Sequence, residues 1–349
     1  QMAVRRGLSL LMAVVLWLGA FLAGTGLYYT GTVHGAEKWE EVLEDGGRYN
    51  GDIELDDDYD GEKFDPRKTA KVNGDIIISG SDITLSNVQV SGDVFIEGDN
   101  IELEDVEVSG DIEISDDAEE VTLDNVKVGD DIVVEGNKAN FRSVTVDGDL
   151  TIEDDVDDSF YGKAVTVKGT VFVNGCESVE FENSTLHNIE VDADEVELTL
   201  SGSTKVTGKV MIYETMELTL EDSAVIQGNV AINAESTVTL EDKAQITGTV
   251  TVNEENVEIV LSSGTFIKRV DVKADDVELS GSGTIEALYA DKKYDVDIDK
   301  KLTIKYFNEP VREGTVIAAG KAGTVRYEND VTVEVPAGAT DVDVEIIIR

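Results

Sequence analysis

Short runs of alternating apolar and polar residues return at a nearly fixed interval through most of this chain, and that period constrains its fold more than any other feature. Taking the apolar residue that opens each segment gives Ile76, Val94, Ile112, Ile132, Leu150, Val171, Ile189, Val210, Val230, Val250, Val270 and Leu288, in steps of 18 to 21 residues. A clean repeat holds three runs, as in Val94-Phe95-Ile96, Ile101-Glu102-Leu103 and Val106-Glu107-Val108, so each repeat supplies three strands of two or three residues. Strands this short cannot stand alone. Each has to hydrogen-bond its equivalent in the next repeat, about 4.8 Å away. The pattern therefore predicts an all-β chain whose residues 72–290 form a parallel β-helix of about 12 three-sided coils. Each coil buries about six aliphatic side chains, such as Val94, Ile96, Ile101, Leu103, Val106 and Val108. At ~1.5 to 3 kcal/mol for each, as an upper estimate, that burial sustains the stack. Pro66, Pro310 and Pro336 all lie outside the repeats, where a missing N–H would cost a ladder bond. The variable step argues against the strict multiple of six of left-handed hexapeptide helices, and parallel crossovers favour a right-handed winding.

The phrases Asn73-Gly-Asp-Ile-Ile-Ile, Ser91-Gly-Asp-Val-Phe-Ile, Val121-Thr-Leu-Asp-Asn-Val-Lys-Val and Val144-Thr-Val-Asp-Gly-Asp-Leu-Thr-Ile resemble the right-handed parallel β-helix repeats of bacterial cell-surface and S-layer-associated proteins. The resemblance implies the fold. Its motif is a packing pattern, so it implies no particular activity.

The flanks read differently. Residues 1–36 have the form of an export signal: Arg5 and Arg6, an uncharged apolar stretch from Leu8 to Leu27, then Val33 and Gly35 at the small-residue positions before Ala36. An apolar run of about 20 residues also leaves an uncleaved membrane anchor open. Either way the remainder is expected outside the membrane, extracellular or at the cell surface. Residues 37–71 read as an acidic linker or N-terminal cap, with a short helix from Glu37 to Asp45 that sets Trp39 and Leu43 on one side. Residues 291–349 carry longer alternations around the Pro336-Ala-Gly turn and read as a C-terminal β-hairpin cap or small β domain; the alternative is a final strand, Ile346 to Arg349, that pairs with a neighbour.

Composition then excludes partners. All acidic residues follow residue 36 while Arg5 and Arg6 precede it, so from Glu37 onward 74 acidic residues face 26 basic ones, a formal charge of −48. Such a field repels phosphate backbones and anionic headgroups, so no nucleic-acid partner is expected. One cysteine, Cys176, excludes an intramolecular disulfide framework, and His34 and His187 are too few for a zinc site.

Four groups of residues are candidates for chemistry. Asp75, Asp93, Asp111, Asp131 and Asp149 each precede a first-strand residue, four of them directly after glycine, and stacking would set five carboxylates in a column about 4.8 Å apart. Hard oxygen ligands in that arrangement suit Ca²⁺; the structural alternative is a glycine at positive φ and an aspartate that accepts the next backbone N–H. A second column, Asn87, Asp105, Asn125 and Ser143, with Asn183 further on, reads as corner residues that satisfy the backbone. Phe160 and Tyr161 fall in the long corner from Asp154 to Lys163, the expected projecting loop, where they read as an anchor rather than a sugar platform. Cys176 and His187 lie in neighbouring repeats with no third orienting group, so the cysteine reads as a core residue. Within the repeats the arginines, Arg142 and Arg269, fall several coils apart, which disfavours the convergent base that a polysaccharide lyase needs. The sequence thus points to a non-enzymatic exported structural or adhesive protein of the bacterial envelope, with no catalytic residues and with Ca²⁺ as its sole candidate cofactor. Its expected partners are envelope polymers, other surface proteins or further copies of itself through the helix ends or the last strand. A secreted polysaccharide lyase or hydrolase, and a subunit of an extracellular filament or surface layer, are the alternatives.

Overall fold

The computed structural model describes residues 38–153, 156, 158–290 and 294–308, together with the backbone of four later strands, Thr315–Ile317, Gly323–Tyr327, Val331–Val335 and Val344–Ile346. The export signal and the Pro336 turn lie outside the described residues. The described chain is a parallel β-solenoid of about thirteen turns. The second of its three faces is a ladder of thirteen parallel strands from Lys63–Phe64 to Val296–Ile298. The first and third faces share a 22-stranded sheet, because in later coils one strand turns the corner between them: Thr166–Val173 and Gln245–Val252 each shift register midway, at Val167/Thr170 and Ile246/Thr249.

The register follows from the apolar period. Ile76 pairs with Val94, Val94 with Ile112, and so on through Leu288, residue opposite residue, across every insertion. Slipping one position would turn each aliphatic outward, so burial enforces the alignment. Val94, Ile96, Ile101, Leu103, Val106 and Val108 are all buried. The extra residues are absorbed at corners. Between the second and third faces the early coils turn on one residue, whereas later coils use four-residue turns, Ser201–Thr204, Glu221–Ala224 and Glu241–Ala244, closed by N–H···O bonds of 3.0–3.2 Å.

Pairing extends beyond the predicted span at both ends. Gly47–Asn50, Ile53–Leu55 and Lys63–Phe64 make a complete coil from residues assigned by sequence to an acidic linker, and Val296–Ile298 with Thr303–Asn308 add another after residue 290. The first coil escapes the period because Ile53 and Ile76 are 23 residues apart, the excess being taken up by the acidic 3₁₀ turn Asp57–Tyr59.

Helix α1, Trp39–Asp45, closes the first coil by burying Val42 and Leu43. Glu40 and Glu41 complement the positive helix start, and Gly46 at φ 84° ends it by donating to the Val42 carbonyl at 2.9 Å. Trp39 packs edge-on against Tyr59, centroids 5.0 Å apart, and both approach Phe64. Toward the other end the later strands pair antiparallel, Gly323–Tyr327 with Val331–Val335 and Thr315–Ile317 with Val344–Ile346. Val331–Val335 therefore pairs with the run before it, and not across Pro336 with the run after it.

Candidate functional site

The aspartate column exists, and its geometry is that of a hydrogen-bond ladder. Asp75 Oδ1 accepts from the backbone N–H of Asp93 at 2.9 Å, Asp93 from Asp111 at 2.9 Å, Asp111 from Asp131 at 2.8 Å, and Asp131 from Asp149 at 2.7 Å. Asp149 continues it to Thr170 at 2.6 Å. One rung escaped the sequence reading: Asp52 accepts from Asp75 at 3.0 Å, and its phrase, Asn50-Gly51-Asp52-Ile53, matches Asn73-Gly74-Asp75-Ile76. Where aspartate gives out, asparagine does the same work without charge. Asn188 Oδ1 accepts from Lys209 N–H, and Asn229 Oδ1 from Thr249 N–H, both at 3.0 Å.

The glycines of this column serve a different purpose from the one expected. Gly92, Gly110 and Gly148 do not have positive φ; a Cβ at those positions would fall 1.9–2.0 Å from Oδ1 of the aspartate one coil below. Glycine at these three positions leaves the carboxylate room beside the backbone N–H that it accepts from. Asp130 stands in the glycine position before Asp131 and adds a further charge there. Burial first, and then the charges of Asp93, Asp131 and Asp130, push the Asp111 carboxyl above its ordinary range against the pull of the Asp131 N–H. Glu113, on the outer side of the adjoining strand, is also raised, by burial and then by Asp111 and Asp93. Among the described residues no group of three or more His, Cys, Asp or Glu side chains is placed to hold a metal ion.

The second column is a set of left-handed corners. Asn87, Asp105, Asn125, Ser143 and Asn183 have φ between 52° and 55°, the conformation that short polar side chains tolerate best. Ala164 occupies the same corner at φ 55°, without a side chain suited to it. Neighbouring rungs bond: Asn125 Nδ2 donates to Asp105, and Ser203 N–H and Oγ both donate to Asn183 Oδ1 at 3.0 Å.

Phe160 is not on a projecting loop. It lies in the second-face strand Ser159–Lys163 and is 1% exposed. Gly162 takes the position between Phe141 and Phe181 in the register, and the Phe181 ring and Val165 occupy the space a side chain there would need; the Phe160 ring packs 4.9 Å from Phe141 and 5.4 Å from Phe181. Tyr161 points outward and donates to Glu182 at 2.5 Å, which raises the phenol to about 12. Cys176 and His187 have separate surroundings. The thiol is buried against the Ser178 carbonyl and pushed up by desolvation, while His187 Nδ1 meets Thr207 Oγ1 at 3.1 Å. Arg269 is held by two bonds to Asp271, 2.6 and 2.9 Å, and stacks 4.1 Å over Tyr289.

Two grooves run along the corner between the first and second faces in the middle coils, of about 1010 and 410 Å³. Glu195 and Glu197 line both, with Asp192, Asp194 and Glu214 in the first and Glu217 in the second. Among the described residues lining them there is no Lys, Arg or His. They suit a cationic ligand better than an anionic sugar. No protein-family model matches the chain, nor does any curated protein or solved structure.

Proposed function

We propose that this chain is an exported, non-enzymatic β-solenoid of a bacterial envelope, a structural or adhesive element that meets envelope polymers or other surface proteins along its sides. The observation that carries this reading is that the recurrent polar side chains are spent between coils. Asp75 to Asp149, and Asn87, Asp105, Asn125 and Asn183, satisfy backbone and side-chain groups of a neighbouring coil in place of converging on one point. The resemblance of the repeat phrases to S-layer-associated proteins and the export-like residues 1–36 support the location. The aspartate column belongs to folding on this reading, and divalent cations act on it as counterions. Fractionating the producing cell tests the proposal: recovery with the envelope or the medium is expected, and recovery as a cytosolic protein would sink it.

A second reading, a secreted polysaccharide-acting enzyme, is favoured by the acid-lined groove around Glu195 and Glu197. It predicts new reducing ends from neutral or amino-sugar glycans, lost in Glu195→Gln and Glu197→Gln. Absence of any product from the intact protein leaves the first reading standing.

A further inference from the structure

Alternation calls for a polar residue at the middle of each first-face strand, where the side chain points outward, and in the early coils that position is mostly apolar instead. Ile77, Phe95, Val133 and Phe172 stand there between buried neighbours, as in Ile76-Ile77-Ile78 and Val171-Phe172-Val173, and each keeps part of its surface in water. The register stacks them in one column: Ile77 on Phe95, Phe95 on Glu113, Glu113 on Val133, Val133 on Thr151 and Thr151 on Phe172. Over the same coils the outward columns of the other faces are polar, Thr84, Glu102, Thr122 and Asn140 on the second and Lys71, Gln89, Glu107 and Lys127 on the third. The rod therefore has one apolar side, about 24 Å long at the coil spacing.

Its rims are acidic. The residue before each of the strands from Ile76–Ile78 to Leu150–Ile152 is an aspartate of the ladder, and the residue after is Ser79, Glu97, Ser115, Glu135 or Glu153. Each ladder aspartate spends Oδ1 on the next backbone N–H, while its Oδ2 accepts no hydrogen bond among the described residues. Glu113 interrupts the column with a carboxyl raised by burial and then by Asp111 and Asp93, and a cation brought beside it opposes that shift. Beyond Phe172 the positions before the strands turn neutral or basic, Asn188, Lys209, Asn229, Thr249 and Arg269, so the acid-rimmed column is confined to the early coils.

The strands beneath are paired on both sides, so no backbone edge is open on this face and a partner has to bring a backbone that is already satisfied. A helix does so. Its turn of about 5.4 Å is close to the coil spacing of about 4.8 Å, and about 16 residues lay one apolar stripe along the column. Lys or Arg on the two flanks of that stripe then meets the two acidic rims. A second copy of this chain brings the same acids to the same face and is repelled.

We propose that the early coils of the first face dock a basic amphipathic helix of another protein, its apolar stripe on Ile77, Phe95, Val133 and Phe172 and its cations on the flanking carboxylates. This narrows the partner of the envelope element to one kind of surface protein, and it rests on that reading only for where the two meet. Binding is measured on the purified chain, so its failure leaves the outcome of cell fractionation untouched.

The full-length chain is titrated into a labelled helical peptide of about 18 residues, leucine on one face and lysine on the other, and into an oligolysine of equal charge, in about 0.15 M NaCl. The amphipathic peptide should bind at least about tenfold more tightly than oligolysine, and Phe95→Ser with Phe172→Ser should remove that advantage while leaving the oligolysine affinity unchanged. A second variant keeps the apolar side chains: Glu97→Gln with Glu113→Gln should weaken the amphipathic peptide several-fold more than Glu102→Gln with Glu104→Gln, which takes the same charge from the second face. No binding, equal affinity for the two peptides, no loss in the phenylalanine variant, or equal losses from the two charge pairs would overturn the proposal.

Discussion

Asp93 shows what one residue of the column does. Its carboxylate takes the N–H of Asp111, and Gly110 leaves the room. Asp93→Asn keeps an acceptor oxygen and removes a like charge, so its unfolding midpoint should equal or exceed that of the native chain. Asp93→Ala strands a partly buried N–H and should cost about 1 kcal/mol in denaturant unfolding. Ala164 offers the converse test. It holds φ 55° among Ser143 and Asn183, so Ala164→Asn or Ala164→Gly should stabilise by about 1 kcal/mol, and a loss of stability would contradict the corner assignment. The raised carboxyls of Asp111 and Glu113 set a pH dependence. Because folding favours their protonated forms, their contribution is complete below the ordinary values of 3.8 and 4.5 and is lost as pH rises through the higher folded values. Asp147 and Glu182, held low by Lys168 and by Tyr161 with Lys163, contribute constantly above those ordinary values. The midpoint should therefore fall as pH climbs from about 4 toward neutrality. Asp111→Asn with Glu113→Gln should flatten that slope, and an unchanged slope would assign it to other groups.

The coil is the element in which sequence was most legible, because burial acts on every second residue and the chain repeats the instruction a dozen times. Each apolar residue from Ile76 to Leu288 sits opposite its predicted neighbour. What stayed hidden depended on contacts between coils. The room needed at Gly110 is defined by a carboxylate oxygen 17 residues earlier in the chain, and nothing local distinguishes a glycine kept for room from one kept for φ. Phe160 reads as a loop residue because it falls in the long corner Asp154 to Lys163, yet its ring is packed between Phe141 and Phe181 in the neighbouring coils. The first coil was hidden by length alone, its step stretched by the Asp57–Tyr59 turn. Phe160→Ala should leave a cavity between the Phe141 and Phe181 rings and cost about 3 to 5 kcal/mol, seen as early melting of the middle coils in hydrogen exchange. A cost below about 1 kcal/mol would mean that the rings do not pack as a unit.

At the scale of the whole molecule, the acid that argues against nucleic-acid partners is distributed over outward strand positions, corners and grooves around an aliphatic interior. Like charges at this density oppose the compact state, and raising NaCl from about 0.01 to 1 M shortens the Debye length from about 30 Å to about 3 Å. The thermal midpoint should rise with salt accordingly. The most direct test of the central claim, that the aspartate column is a coil-to-coil hydrogen-bond ladder, is thermal unfolding of the native chain and of the variant with Asp75, Asp93, Asp111, Asp131 and Asp149 all replaced by asparagine, in Ca²⁺ and in Mg²⁺ at equal concentration. A ladder predicts that the variant folds, is at least as stable as the native chain, and that the two cations shift the native midpoint alike. A shift specific to Ca²⁺ that the asparagine variant loses would contradict the account and make the column a cation site.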